Sequence, residues 1–298
     1  MANKKLEVFK TKLHAPQMLI APGAYDCLCA KVIEKLGFDA VYITGSGLSF
    51  STMGKPDVGL MTLTEVAYQV EYIVDSTNLP VIADIDTGFG NAINVIHTVK
   101  KFKKIGVTAV QLEDQIIPKK CGHYLGKELV SSEEMVGKIK AAKDYAGDDV
   151  LLIARTDART PFCIEEAIRR AKIYEEAGAD IIFVESPESV EEMRLVNKCI
   201  KAPTFVNVGE GTRTPLLTVQ ELEEIGYKIA IYPNSIARMA LKSSMEVLEE
   251  LKKKGTTKRL LEKGKMADWS ELHEFFDLSN FIEMEKKYVP ICQNQNKN

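Results

Sequence analysis

Short runs that are almost wholly apolar and β-branched alternate along the chain with amphipathic stretches of helical period. The runs are 18–22 (MLIAP), 40–45 (AVYITG), 80–86 (PVIADID), 109–114 (AVQLED), 150–156 (VLLIART), 180–186 (DIIFVES), 203–208 (PTFVNV) and 228–233 (KIAIYP). They are mostly apolar throughout and do not alternate apolar with polar residues. Each therefore predicts a strand buried on both faces, as in a parallel sheet.

The intervening stretches predict helices. In 91–105, Ile93, Ile96, Val99 and Phe102 recur every three residues, and lysines gather at the C-terminal end, where the helix dipole favours them. In 131–146, Ser131 or Ser132 is the expected cap, Glu133 and Glu134 fill the first turn, and Met135, Val136, Ile139 and Ala142 form the stripe. The helix 164–178 is expected to stop at Gly178. The junctions LGFDAVYI, IGVTAVQL, AGADIIFV and IGYKIAIY each place a glycine between a helix and a strand. A left-handed stop there, four times over, argues for a repeated βα unit.

Eight such units fit either a closed barrel or a large open doubly wound sheet. No glycine-rich dinucleotide loop follows the first strand, and eight units in one chain favour closure. The expectation is a single (β/α)₈ TIM-type barrel domain over 1–298, with no linker dividing it. A helical extension at about 235–289 is too long for one barrel helix, and its surplus is expected to pack on a partner subunit. The tail 292–298 is expected to be disordered.

Composition narrows the setting. The 298 residues are 45% apolar, and 39 basic against 42 acidic side chains leave a net charge of −3. That balance gives no reason to expect nucleic acid or an anionic membrane surface. The N-terminus lacks the apolar centre of a signal peptide, and no window reaches about 18 apolar residues. Six cysteines, Cys27, Cys29, Cys121, Cys163, Cys199 and Cys292, show no metal-type pairing. A reducing cytoplasm is the expected location.

Barrel enzymes carry their chemistry at the C-terminal ends of the strands. Here those ends read Tyr42, Thr44, Gly45 and Ser46, then Asp84 and Asp86, Glu113 and Asp114, Arg155 and Asp157, Glu185, Asn207 and Tyr232. Asp84 and Asp86 are two apart and share a face, and Glu113 ends the adjacent strand. Hard oxygens with room for water suit Mg²⁺, with Mn²⁺ as a substitute. The competing reading is a helix cap at Asp86 and a core-edge charge at Asp84. Arg155 offers a fork for a substrate carboxylate, or an internal partner for Asp157 or Glu185. After the fourth strand, Lys119-Lys120-Cys121-Gly122-His123 places a thiol among cations, which would lower its pKa. Gly122 and Gly126 allow movement. This reads as an exposed, polar, closing loop with an acid/base cysteine. Lys119 either binds substrate or tunes the thiol. Cys27, Cys29, Cys163 and Cys199 read as packing residues, and Cys292 as incidental.

These residues resemble the isocitrate lyase/phosphoenolpyruvate mutase superfamily over about 10–255, and within it the short lyases of 2-methylisocitrate or 2,3-dimethylmalate. The motifs are VYITGSGLS (41–49), GKPDVG (54–59), ADIDTGFGN (83–91), LEDQ (112–115), KKCGH (119–123), IARTDA (153–158) and NVGEGTRTP (207–215). The KKCGH box marks the lyases. The resemblance implies that Thr44, Gly45 and Ser46 hold a carboxylate through backbone N–H groups. It places Asp57, Asp84, Asp86 and Glu113 in the Mg²⁺ shell, with Asp84 as direct ligand. Lys119, Cys121, Gly122 and His123 become the catalytic loop, with Arg155, Glu185, Asn207 and Arg238 as substrate contacts. It also implies homotetramers that exchange C-terminal helices.

Two departures separate the chain from the methylisocitrate enzymes. Gly209-Glu210-Gly211-Thr212 replaces Thr-Glu-Phe-Gly beside the substrate, and Ala267 aligns with an arginine that holds a third carboxylate. Both lean towards a substituted malate, with Glu210 near the substrate. The expected activity is cleavage of a 2-hydroxy di- or tricarboxylate to pyruvate and a carboxylic acid, with Tyr42 as base and Cys121 as acid. The rivals are 2-methylisocitrate cleavage, oxaloacetate decarboxylation, C–P bond cleavage and a catalytically silent barrel serving as a scaffold.

Overall fold

The computed structural model describes residues 2–289. The elements run α1 (Ala2–Leu13), β1 (Leu19–Ala24), α2 (Cys27–Lys35), β2 (Val41–Ile43), α3 (Gly45–Leu48), a π-helical turn (Ser49–Met53), α4 (Leu63–Ser76), β3 (Val81–Asp84), α5 (Ala92–Ile105), β4 (Ala109–Glu113) and α6 (Ser132–Ala146). There follow β5 (Leu151–Thr156), α7 (Ile164–Glu176), β6 (Ile181–Val184), α8 (Val190–Cys199), β7 (Thr204–Asn207), α9 (Val219–Ile225), β8 (Ile229–Tyr232), α10 (Ser235–Lys254), α11 (Lys258–Glu262), α12 (Trp269–Phe275) and α13 (Leu278–Tyr288).

The strands close into a barrel in sequence order, β8 pairing back to β1, and every pairing is parallel. Each predicted run coincides with one strand, β1 continuing two residues past its run to Ala24. The four junction glycines, Gly37, Gly106, Gly178 and Gly226, all have positive φ, between 77° and 112°. Left-handed stops at these points turn each helix back to the next strand.

Period two divides the core. Ile82, Ala109, Ile153, Ile181, Phe183, Phe205 and Ile229 share one cluster inside the barrel, joined by Phe9 and Leu13 of α1. Alternate residues such as Val81, Val110, Leu112, Leu152 and Ile182 pack outwards with the helices. Each large side chain so buried contributes about 1.5–3 kcal/mol. On α5 the buried stripe is Val95, Thr98, Val99 and Phe102, while Ile93 is exposed. The expected every-third spacing thus gives way to an i, i+3, i+4, i+7 face. Asn91 caps this helix, and a helical period of 3.6 carries Ile93 away from the core.

One compact unit ends at Arg238 and a second begins at Met239. No described helix is long and apolar enough to cross a membrane. The tail 292–298 and Cys292 lie outside the described residues.

Candidate active site

Side chains two apart on a strand point to the same face. Continuing upward from the apolar interior, that face carries Asp84 on β3, Gln111 and Glu113 on β4, Arg155 on β5, Glu185 just past β6, and Asn207 on β7. Register reinforces the grouping, since Asp84 pairs with Gln111 and Glu113 with Arg155. The barrel therefore converts a sequence of strand ends into a ring of polar groups over an apolar floor.

Past Asp84 the chain turns sharply. Asp86 has a φ of 49°, and its N–H donates to Asp84 Oδ1 at 3.0 Å. It caps no helix; Asn91 does. A Cβ on Gly45 would sit 3.2 Å from Asp84 Oδ2 and 3.4 Å from Asp86 Oδ1, so the β2–α3 turn lies directly against both carboxylates. The Thr44 hydroxyl accepts from Gly47 N–H at 3.2 Å, and the Thr44 N–H donates to Ala24 at 3.3 Å. Of the three amides expected to hold a carboxylate, those of Gly45 and Ser46 remain, since first-turn N–H groups have no partner within a helix. Ser46 Oγ meets Thr44 Oγ1 at 3.0 Å and donates to Asn234 at 3.1 Å.

The 119–123 loop lies across the barrel mouth. Lys119 is buried, with Nζ at 2.7 and 2.8 Å from the two oxygens of Asp57 and 2.8 Å from Asp86 Oδ1. Cys121 N–H donates to Asp57 O at 3.0 Å. A Cβ on Gly122 would fall 2.4 Å from Arg155 Nη2 and 2.8 Å from Glu185. Only glycine allows the loop to settle this far. His123 bridges Ser186 (Nδ1, 3.3 Å) and Asn207 (Nε2, 3.2 Å), and Asn207 donates to Glu185 at 3.3 Å.

This placement corrects the expectation of an exposed loop with an ionised thiol. Lys120 turns away, donating to Gly126 O. Lys119 points into carboxylates. Burial pushes the Cys121 thiol up to about 11, aided by Asp57 and opposed by a backbone hydrogen bond and the charges of Lys119 and Arg155. Desolvation outweighs the neighbouring cations. Tyr42 also departs from its expected role. Its hydroxyl donates to Gln111 Oε1 at 2.9 Å and Asp84 Oδ2 at 3.3 Å, and burial with the Asp84 charge holds it well above the usual phenol range. A neutral phenol donates; it is a poor base.

Arg155 grips Asp157 with Nε and Nη2 at 2.8 and 3.0 Å, and lies 3.4 Å from Glu113 and 3.5 Å from Glu185. Its fork is thus engaged inside the protein. Burial would raise the Glu185 carboxyl, but Arg155 and His123 hold it below the usual range. At the rim, Arg238 pairs with Glu210, donating to its carbonyl and lying 3.3 Å from Oε2, while Ser235 donates to Oε1. Gly209 brings this loop against His123, with a Cβ there 3.2 Å from Nε2.

Six carboxylates, Asp57, Asp84, Asp86, Glu113, Asp157 and Glu185, face three permanent cations, Lys119, Lys127 and Arg155. Crowding of negative charge adds to burial in raising three of these carboxyls. Burial, with the charges of Asp84 and Asp57, pushes Asp86 up to about 7 despite Lys119. Burial also raises Asp84 and Glu113. Gln111 Nε2, Glu113 Oε1 and Asn207 Oδ1 are buried without a hydrogen-bond partner. Buried polar atoms left unpaired mark a place that a ligand completes. A divalent cation fits this excess of hard oxygen. No group of three or more His, Cys, Asp or Glu side chains among the described residues is spaced as a metal cage. Mg²⁺ needs no such cage, because it keeps water and takes one or two carboxylates.

Gln111 was legible in retrospect as the residue two before Glu113. Lys127 and Ser186 carried no such signal.

The chain matches the phosphoenolpyruvate phosphomutase family over residues 9–252. It is 50% identical over 289 residues to 2,3-dimethylmalate lyase of Eubacterium barkeri, covering 97% of this chain and 98% of that one. It is 44% identical over 286 residues to 2-methylisocitrate lyase of Aeropyrum pernix, covering 96% and 91%. The crystal structure of a 2,3-dimethylmalate lyase superimposes with a TM-score of 0.88 at 31% identity, covering 100% and 98%. With its parallel barrel and ring of strand-end carboxylates, the chain belongs to the isocitrate lyase/phosphoenolpyruvate mutase superfamily.

Proposed function

We propose that the protein is a Mg²⁺-dependent carbon–carbon lyase that cleaves a substituted 2-hydroxy dicarboxylate, of the 2,3-dimethylmalate type, to pyruvate and a carboxylic acid. The observation that carries this reading is the closed 119–123 loop. It sets Cys121, whose thiol burial pushes up to about 11, beside a buried cluster in which carboxylates outnumber cations.

Asp84 is the proposed direct ligand, with Asp86, Asp57 and Glu113 around it. Mn²⁺ would serve in place of Mg²⁺. When bound, the ion supplies Lewis acidity at the substrate hydroxyl and its adjoining carboxylate. An ionised carboxylate of the cluster would accept the hydroxyl proton, since a bound cation favours the charged form of its neighbours. Tyr42 positions Asp84 through its hydroxyl. The bond from the carbinol carbon to its neighbour then breaks, and the carbinol carbon becomes the ketone of pyruvate. Cys121 protonates the other carbon. The amides of Gly45 and Ser46, with Asn207, His123 and the part of the Arg155 guanidinium that Asp157 leaves unengaged, hold the carboxylates. Gly122 lets the loop shut against Arg155 and Glu185.

The rim favours a dicarboxylate: Gly209 and Gly211 replace the threonine and phenylalanine that flank the same glutamate in the methylisocitrate enzymes, and Ala267 replaces their arginine. Cleavage of 2-methylisocitrate, the activity named for the Aeropyrum pernix relative, is the second reading. Release of pyruvate from 2,3-dimethylmalate, compared with 2-methylisocitrate and oxaloacetate, tests the choice. A homotetramer with exchanged C-terminal helices is part of the proposal, supported by the exposed Met239, Leu241, Leu248, Trp269 and Phe281. So is a cytoplasmic location, since Cys121 must remain a thiol.

Two outcomes follow from the loop. Gly122→Ala inserts a methyl group into Arg155 and Glu185, and a misplacement of about 1 Å costs on the order of 10²-fold in rate. Steady-state assays should show that loss with the cysteine still present; unchanged turnover would mean that the loop works open. In the metal-free protein, the Cys121 thiol should ionise near pH 11 and remain protonated below it. Thiolate absorbance of the wild type against Cys121→Ser reads this directly, and a midpoint below the ordinary thiol value would contradict it.

A further inference from the structure

Lys127 has no part in the chemistry above, yet its side chain and its partner Asp157 are both fully buried. A buried ammonium is tolerated only where acceptors surround it. Lys127 Nζ has two that matter. It donates to Asp157 Oδ1 at 2.9 Å and to the carbonyl oxygen of Gly122. The first acceptor is fixed. Asp157 N–H donates to Asp114 at 2.9 Å, and Asp114 is itself held by Tyr174 and Thr156, each at 2.8 Å. The second acceptor belongs to the loop, one residue after Cys121. The same Asp157 Oδ1 also receives Arg155 Nη2 at 3.0 Å.

One ammonium therefore touches the loop that carries the proposed acid and the carboxylate that orients the arginine beneath it. Gly126, with a φ of 72°, lies between Lys127 and the loop and gives the chain a turning point. If the loop lifts, Gly122 leaves and the ammonium keeps Asp157 but loses its other acceptor. Closing restores it, and Ser186 Oγ adds a second bond to the same carbonyl at 3.3 Å.

We propose that Lys127 is a positioning residue that latches the 119–123 loop shut over Arg155 and so places Cys121 for proton transfer. The proposal rests on the lyase reading for its kinetic consequence, but not for its structural one. Lys127→Met keeps the length of the side chain and removes the charge and the donors. Lys127→Gln keeps a neutral donor able to reach one acceptor.

The test has two arms. The first is alkylation of Cys121 by iodoacetamide, mapped peptide by peptide to separate it from the other cysteines, in metal-free protein and with Mg²⁺ plus oxalate. In the wild type Cys121 should be protected; in Lys127→Met it should react about tenfold faster or more, because the loop stays open. The second is pyruvate release from 2,3-dimethylmalate. There kcat should fall on the order of 10²-fold in Lys127→Met with a much smaller change in KM, and Lys127→Gln should fall between. If Lys127→Met does not fold, Lys127→Gln must show partial loss in both arms. A folded variant with wild-type protection of Cys121, or one with lower thermal stability but wild-type kcat, would overturn the proposal. Wild-type protein that releases no pyruvate would count against the lyase reading alone, and the alkylation arm would still decide the latch.

Discussion

Replacing Cys121 with serine is expected to lower keto-acid release by about 10³-fold, within the range that a positioned acid contributes. The exchange leaves the loop its anchors, because Cys121 is tied to Asp57 through its backbone N–H and Lys119 holds Asp57 and Asp86 independently. The variant should therefore close. It fails because a hydroxyl in the same place gives up its proton far less readily than a thiol. Binding of Mg²⁺ with oxalate, read as a thermal shift, should match the wild type. Loss of both turnover and binding would show instead that the cysteine supports the loop, and turnover at the wild-type rate would remove it from the mechanism.

Asp84→Ala should be as damaging for a different reason. Charge stabilisation by a metal is worth several kcal/mol, so losing its direct ligand should cost about 10³-fold or more. Removing Asp84 also removes one negative charge from a cluster whose carboxyls are already raised by burial and mutual repulsion. The metal-free variant should then be no less stable than the wild type, while Mg²⁺ no longer raises its melting temperature. Activity that persists in a chelator would contradict the metal assignment. A variant that unfolds without metal would show that Asp84 matters chiefly as the acceptor for Tyr42 and Asp86.

The barrel was legible because its signals are local and repeated. Both-face burial removes alternation from a strand, and a helix that must turn back within a few residues needs a left-handed stop. The runs and Gly37, Gly106, Gly178 and Gly226 report those two facts wherever they occur. The ring of polar groups was legible for the same reason: Asp84 and Glu113 end their strands, Arg155 lies one residue before the end of its own, and the residues two earlier also face the barrel interior. What the sequence hid was depth. Two lysines beside Cys121 suggest an ionised thiol, but Lys119 turns to Asp57 and Asp86 and burial decides the thiol's state. The arginine fork reads either as a clamp for substrate or as a partner for Asp157 or Glu185, and only the fold shows Asp157, two residues on, occupying it. Lys127 reads as an ordinary surface charge in GKELV, because nothing local says that the chain folds it onto Asp157.

The most direct test is pyruvate formation from 2,3-dimethylmalate by the purified wild-type protein, with Mg²⁺ and after its removal by chelator. Release should be rapid, stop with the chelator and return when Mg²⁺ is restored. Release of no keto acid from this substrate, or release indifferent to the metal, would contradict it.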